Sequence, residues 1–184
     1  MKKNFTTNEL PHIWAQQSQS EGKAGSFYFN GATIYSYGSH FPIATIEGEN
    51  VLFTKRTYSN STAKHISKTR RAVSHKNFIY CYYVPTSLKY ASREHEQNFE
   101  RWKKEIQTLF AEIGNTKNKN IDSRVNSVNG LVNELNLYCN YFKIKVKDVE
   151  LKKLLKLIVS GVRATADSLP KQCMKLCATA VVSN

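Results

Sequence analysis

SFYFNGATIYSYGSHFPIATIEGENVLFT, residues 26–54, is a series of short apolar and aromatic segments broken at regular intervals by turn residues. Segments 26–30, 33–37, 41–47 and 51–54 are rich in β-branched and aromatic side chains, which suit a pleated, half-buried surface. Between them stand Asn30-Gly31, Gly38-Ser39 and Gly48-Glu49-Asn50. The Asn-Gly pair is the strongest short-range hairpin signal, because both residues tolerate the positive φ of a tight two-residue turn. The stretch predicts an antiparallel β-meander. Just downstream, Ser59-Asn60-Ser61-Thr62 supplies N-cap candidates for a helix over about 62–76, and 78–84 returns as an aromatic, β-branched strand.

Beyond residue 90 the texture changes. The region 93–184 is rich in Leu, Lys, Glu and Asn, with apolar residues three and four apart. Phe99, Trp102, Ile106, Leu109, Phe110 and Ile113 form one stripe, ended by Gly114 at a position suited to a helix stop. A second stripe runs from Ile121 to Tyr138, and a third from Leu151 to Val162 with Asp148 as its candidate cap. A fourth helix is expected from Pro170 to about Val182. The fold expected is therefore α+β: an N-terminal antiparallel meander with one basic helix over 1–90, then a three- to four-helix bundle over 93–184. A chain of 184 residues can bury one substantial core or two small ones. No apolar run reaches the roughly 18 to 20 residues that span a bilayer, and the polar start after Lys2-Lys3 does not read as a signal peptide. A soluble cytoplasmic protein is expected, with no membrane partner and with Cys81, Cys139, Cys173 and Cys177 reduced.

Charge is distributed unevenly. The formal net charge is +13, of which 1–49 contribute −1, 50–93 contribute +9 and 94–184 contribute +5. Window 50–93 contains no Asp or Glu at all. On the expected helix Lys64, Lys68, Arg71 and His75 stand at i, i+4, i+7 and i+11 and share a face, with Ile66, Thr69 and Val73 on another. Like charges at this spacing repel, and a helix serving only solubility interleaves signs. A surface of Lys55, Arg56, Lys64, Lys68, Arg70, Arg71, His75 and Lys76 is thus expected to meet a polyanion, nucleic acid or a ribonucleoprotein complex. A second cationic cluster, Lys143 to Lys156, is offset by Asp148 and Glu150 and reads as a solvated face.

The segment Ile34-Tyr35-Ser36-Tyr37-Gly38-Ser39-His40-Phe41-Pro42-Ile43-Ala44, with His12-Ile13-Trp14 upstream and Tyr58-Ser59-Asn60-Ser61-Thr62-Ala63-Lys64-His65 downstream, resembles an uncharacterised domain of phage- and plasmid-borne proteins over about residues 9–85. The resemblance transfers no activity. It implies a mobile-genetic-element setting, in which small basic proteins recur as nucleic-acid binders and as inhibitors of host defence, including anti-CRISPR proteins that block a Cas9-type effector. The helical half lies outside the matched segment and is expected to carry partner docking or homodimerisation.

Catalysis has a narrower basis. His40 and His65, with Tyr35 near them in sequence, are the candidates for a metal-independent phosphodiester cleavage by general acid–base chemistry. The competing reading, polar residues fixing a small meander, is favoured, so no reaction is assigned. Metal ligation finds no HxxE or DxD cluster in the N-terminal half, and Cys173 with Cys177 lacks two further ligands. No phosphate loop, nucleophile elbow or dinucleotide fingerprint occurs, and no cofactor is expected. The strand with Phe78, Tyr80 and Tyr82 invites comparison with a base-stacking platform, but reads better as the buried centre of the sheet.

Overall fold

The computed structural model describes residues 3–86, 91–115 and 121–161. It is an α+β protein, with a six-stranded sheet in the N-terminal part and helices after it. The strands are β1 (Glu21–Ala24), β2 (Phe27–Asn30), β3 (Thr33–Ser36), β4 (Pro42–Glu47), β5 (Asn50–Thr54) and β6 (Asn77–Cys81), and their order in the sheet is their order in the chain. Each of β1 to β5 pairs antiparallel with the next. β6 returns parallel to β5 after the crossover helix α2 (Asn60–Ala72). A short helix α1 (Leu10–Ala15) precedes the sheet.

Strand alternation sorts the side chains onto two faces. Phe27, Phe29, Ile34, Ala44, Val51 and Phe53 lie on one face and form a core with Leu10 and Trp14 of α1 and Val73 at the end of α2. Trp14 is fully buried and donates its indole N–H to the Ala32 carbonyl at 2.9 Å, so its polar atom is satisfied in the interior. Tyr28 and Tyr35 pair across β2 and β3 on the opposite face, with their rings stacked at 5.0 Å. Gly31 and Gly48 take φ of 54° and 61° in two of the hairpin turns, as the Asn-Gly and Gly-Glu-Asn signals require.

Several boundaries differ from those the sequence suggests. β1 carries no sequence signal strong enough to mark it, and α1 is not among the expected elements. α2 starts at Asn60 and ends at Ala72, because Ser59 alone acts as the cap, its hydroxyl accepting from the Thr62 N–H at 3.2 Å. His75 and Lys76 therefore lie in the turn after the helix, and His75 does not continue the Lys64, Lys68, Arg71 row. β6 ends at Cys81 rather than at residue 84, and it is the last strand of the sheet rather than its centre. The expected fourth helix at 170–182 lies outside the described residues.

The chain forms two compact units, Met1–Asn98 and Phe99–Asn184. The division falls inside helix α3 (Ala91–Asn115), later than the boundary expected near residue 90. Asn98 explains the shift. Its side-chain oxygen accepts from the Tyr82 and Tyr83 N–H groups, each at 2.8 Å, and its side-chain nitrogen donates to the Tyr83 carbonyl at 2.8 Å. In the second unit α3 runs antiparallel to α4 (Ile121–Phe142), with the Trp102 ring 4.9 Å from Tyr138 and Arg124 paired with Glu112. Helix α5 (Val149–Gly161) is capped by Asp148, whose carboxylate accepts from the Leu151 N–H at 2.7 Å, as the sequence suggests. Among the described residues no helix is long and apolar enough to cross a membrane.

Candidate nucleic-acid interface

The topology brings three segments of the first unit to one end of the sheet. β3 ends there at Ser36, β4 begins there at Pro42, and β5 ends there at Thr54, just before α2. The loop 37–41 closes on itself: the Phe41 N–H donates to the Gly38 carbonyl at 3.0 Å and the Ser36 N–H to the Phe41 carbonyl at 3.1 Å. Two of the quoted motif segments, 34–44 and 58–65, thus become neighbours in space.

The candidate cations take distinct environments. Arg56 lies with its guanidinium over the rings of Phe41, at 4.9 Å, and Tyr83, at 4.1 Å. Lys55 stands over the Tyr82 ring at 5.2 Å. Arg70 sits over Phe53 and Tyr80, at 5.2 and 5.5 Å. Lys68 donates to the Thr7 hydroxyl at 2.6 Å. Lys64, Arg71 and His75 are exposed. Lys76 is drawn back to the Gly48 carbonyl at 2.9 Å and to the Glu49 carboxylate at 3.7 Å, so it is the least available of the set. Among the described residues Arg56, Lys64, Lys68, Arg70 and Arg71 form no ion pair with a carboxylate.

His65 is buried alongside the face of Ile66, Thr69 and Val73 that apolar periodicity turns to the core. It is buried on the inner face of α2 with Thr62, Thr69 and Ala72. Its ring stacks on Phe27 with centroids 4.3 Å apart and 4° between planes, and Nδ1 is 2.8 Å from the buried Ser36 hydroxyl. Thr69 donates its hydroxyl to the His65 carbonyl at 2.9 Å. With each polar group partnered, a polar residue can hold a core position. Burial, and secondarily the charge of Lys68, holds the imidazole below its ordinary pKa, so it is neutral near pH 7.

The remaining catalytic candidates stand elsewhere. Tyr35 is on the sheet face opposite to Phe27, Ser36 and His65, stacked on Tyr28. His40 is exposed in the 37–41 loop, its ring lying so close over Gly38 that a Cβ there would meet Nδ1 at 2.7 Å. His65 and Tyr35 are thus kept apart by the sheet, and the three do not form one cluster. Cys81 is buried, and burial pushes its thiol far above the ordinary range. Cys139 is half-buried and is pushed up to about 11 by the same cause. No group of three or more His, Cys, Asp or Glu able to hold a metal ion occurs among the described residues.

Sequence reasoning does not single out Tyr37 or Tyr58 as binding residues. Tyr37 is 55 % exposed and adopts φ of 66°, and Tyr58 is 82 % exposed. Their presence in the motif was legible, but their exposure depends on where the two loops meet. Phe78 and Tyr80 stack on each other at 5.6 Å and point to the core face, half-buried, while Tyr82 is buried. No family model, curated protein or solved structure matches the chain.

Proposed function

We propose that the protein binds nucleic acid, or a nucleic acid–protein complex, through the first unit. The observation that carries this reading is the set of five cations, Arg56, Lys64, Lys68, Arg70 and Arg71, that pair with no carboxylate among the described residues. Charge left uncompensated across one helix and the loop before it is repelled by itself and attracted to a phosphate backbone. Lys64 and Arg71 project to solvent, and Lys68 and Arg70 flank them with their charges anchored. Ser61 and Ser67, also exposed on α2, add hydroxyls suited to phosphate oxygens.

The mobile-element setting implied by the 34–44 motif makes obstruction of a host defence effector, of the anti-CRISPR kind, the biological role that this binding would serve. In this reading the helices of the second unit supply docking or self-association. Cleavage by His40, His65 and Tyr35 finds no support in their placement.

A mobility-shift series from low to high salt tests the reading. The logarithm of the association constant is expected to fall linearly with the logarithm of salt concentration, and the double variant Lys64→Ala/Arg71→Ala to lower that slope by about 2, roughly one per lost phosphate contact. An affinity indifferent to salt sinks it.

A further inference from the structure

The aromatic residues at the loop end of the sheet are arranged unlike a core. Tyr58 and Tyr37 are the two exposed large apolar side chains of the first unit among the described residues, and the topology places both at the same end of the sheet, one on each converging loop. The Phe41 ring touches both chemistries present: Tyr58 packs against it at 6.5 Å and the Arg56 guanidinium lies over it at 4.9 Å. The Tyr37 ring stands 6.2 Å from that of His65, tilted outward from the buried Phe27–His65 stack. Tyr37 keeps a left-handed backbone that a residue with a Cβ adopts only at a cost. Glycine would fit that conformation without strain, so its replacement by an exposed tyrosine gives the loop a ring it does not need for folding.

We infer that Tyr37 and Tyr58 are a stacking site for unpaired nucleobases, and that the ligand of this surface is single-stranded nucleic acid rather than duplex. The inference rests on the nucleic-acid reading above and narrows it. Every base has a π-face, so an exposed phenol binds without selecting sequence, while in a duplex that face is covered by its neighbours. Arg56 brings a cation to this end of the sheet, its guanidinium lying over the same Phe41 ring that Tyr58 packs against. The field also fits, since the acid-free window 50–93 contains both the Tyr58 loop and the cations around it.

The test uses the full chain, with labelled single-stranded DNA, single-stranded RNA and duplex DNA of one sequence, titrated at fixed salt. Tyr58→Ala and Tyr37→Gly should each weaken binding of a single strand about tenfold and leave the duplex unchanged. Tyr58→Phe should keep the affinity, since the ring and not the hydroxyl stacks. Tyr37→Gly should not lower the melting temperature, which separates loss of a contact from loss of the fold. Tyr58→Trp adds an exposed indole to a chain whose own two tryptophans, Trp14 and Trp102, are fully buried, and its emission should be quenched when a single strand binds. A 2′-hydroxyl preference would appear as a difference between the DNA and RNA arms. Unaltered single-strand binding by Tyr58→Ala and Tyr37→Gly, with Lys64→Ala/Arg71→Ala weakened, would overturn stacking and leave the basic surface standing. Equal losses on single strand and duplex would overturn it as well. An unaltered chain that binds none of the three probes removes both readings.

Discussion

Gly22 shows how a single missing methyl shapes this protein. It sits in β1 opposite Phe29, and a Cβ at that position would stand 2.7 Å from the Phe29 ring and 2.9 Å from Phe5. Both rings belong to or pack against the core, so neither can move away cheaply. Gly22→Ala is expected to destabilise the first unit by about 1 to 3 kcal/mol, the usual cost of overpacking, read as a lower midpoint in denaturant titration. His65 adds a pH dependence. Its folded pKa lies below the ordinary value, so the unfolded chain binds the proton more readily than the folded one. The stability it supports is complete above roughly pH 6.5 and is lost as pH falls from there through the folded value. His95 is shifted in the same direction by burial. The melting temperature should therefore fall between about pH 7 and pH 5, and less steeply in His65→Gln, in which one of the two groups is gone. A profile of equal steepness in that variant would place the proton uptake elsewhere.

Elements differ in how much of them the sequence reveals, and the reason is physical in each case. β2 to β5 are legible because their side chains and turn residues agree with their final pairing. β1 is not, because Glu21-Gly22-Lys23-Ala24 has no strand-forming side chain. It becomes a strand through what lies beside it: β2 on one side, and on the other residues 3–5, with the Phe5 N–H donating to the Lys23 carbonyl at 2.9 Å. α1 is short, yet a signal was present. Thr6 and Glu9 exchange hydrogen bonds as a capping box does, Thr6 N–H to the Glu9 carboxylate at 2.9 Å and Glu9 N–H to the Thr6 hydroxyl at 3.2 Å. In α2 the inner face was legible in part: Thr69 and Val73 are buried and Ile66 packs against the core, but the face extends to His65 and Thr62, polar residues that apolar periodicity does not count. The candidate cations were legible by type and position. Which of them are anchored, as Lys68, Lys76 and Arg70 are, depends on distant segments. The start of α5 offers a clean test at this scale. Burial alone would raise the Asp148 pKa, but the Leu151 N–H and the Lys103 ammonium outweigh it and hold the carboxyl below its ordinary value. Lys103 also pairs with Glu150 at 2.8 Å. Asp148→Ala should cost about 1 kcal/mol, seen as reduced helicity at a fixed denaturant concentration, while Asp148→Asn should recover most of it because the amide oxygen still caps.

At the scale of the whole molecule the chain is two units joined within one helix, and the joint sets where it can be cut. A fragment that stops at residue 90 lacks Asn98 and leaves the Tyr82 and Tyr83 N–H groups and the Tyr83 carbonyl without the side chain that satisfies them. Three such losses are expected to cost several kcal/mol, at about 1 kcal/mol or more for each group left unsatisfied. The fragment 1–98 should melt cooperatively and at a clearly higher temperature than 1–90, and equal melting would show that the first two turns of α3 do not belong to the sheet. If the first unit contains the whole binding surface, 1–98 also retains the salt-dependent shift.

The identity of sheet order and chain order has a temporal meaning. A ribosome delivers β1 through β6 in the sequence in which they pair, so each strand that leaves the exit tunnel finds its neighbour already waiting. No strand has to be inserted between two earlier ones, and no early edge stays open for a late partner. Only the stretch from Ser59 to Lys76 interrupts this succession, as α2 winds and carries the chain back. A nascent chain stalled once its sheet and Asn98 have emerged should already resist protease over the meander, before α4 has left the tunnel. On that schedule the surface proposed to meet a polyanion is assembled while the protein is still being made.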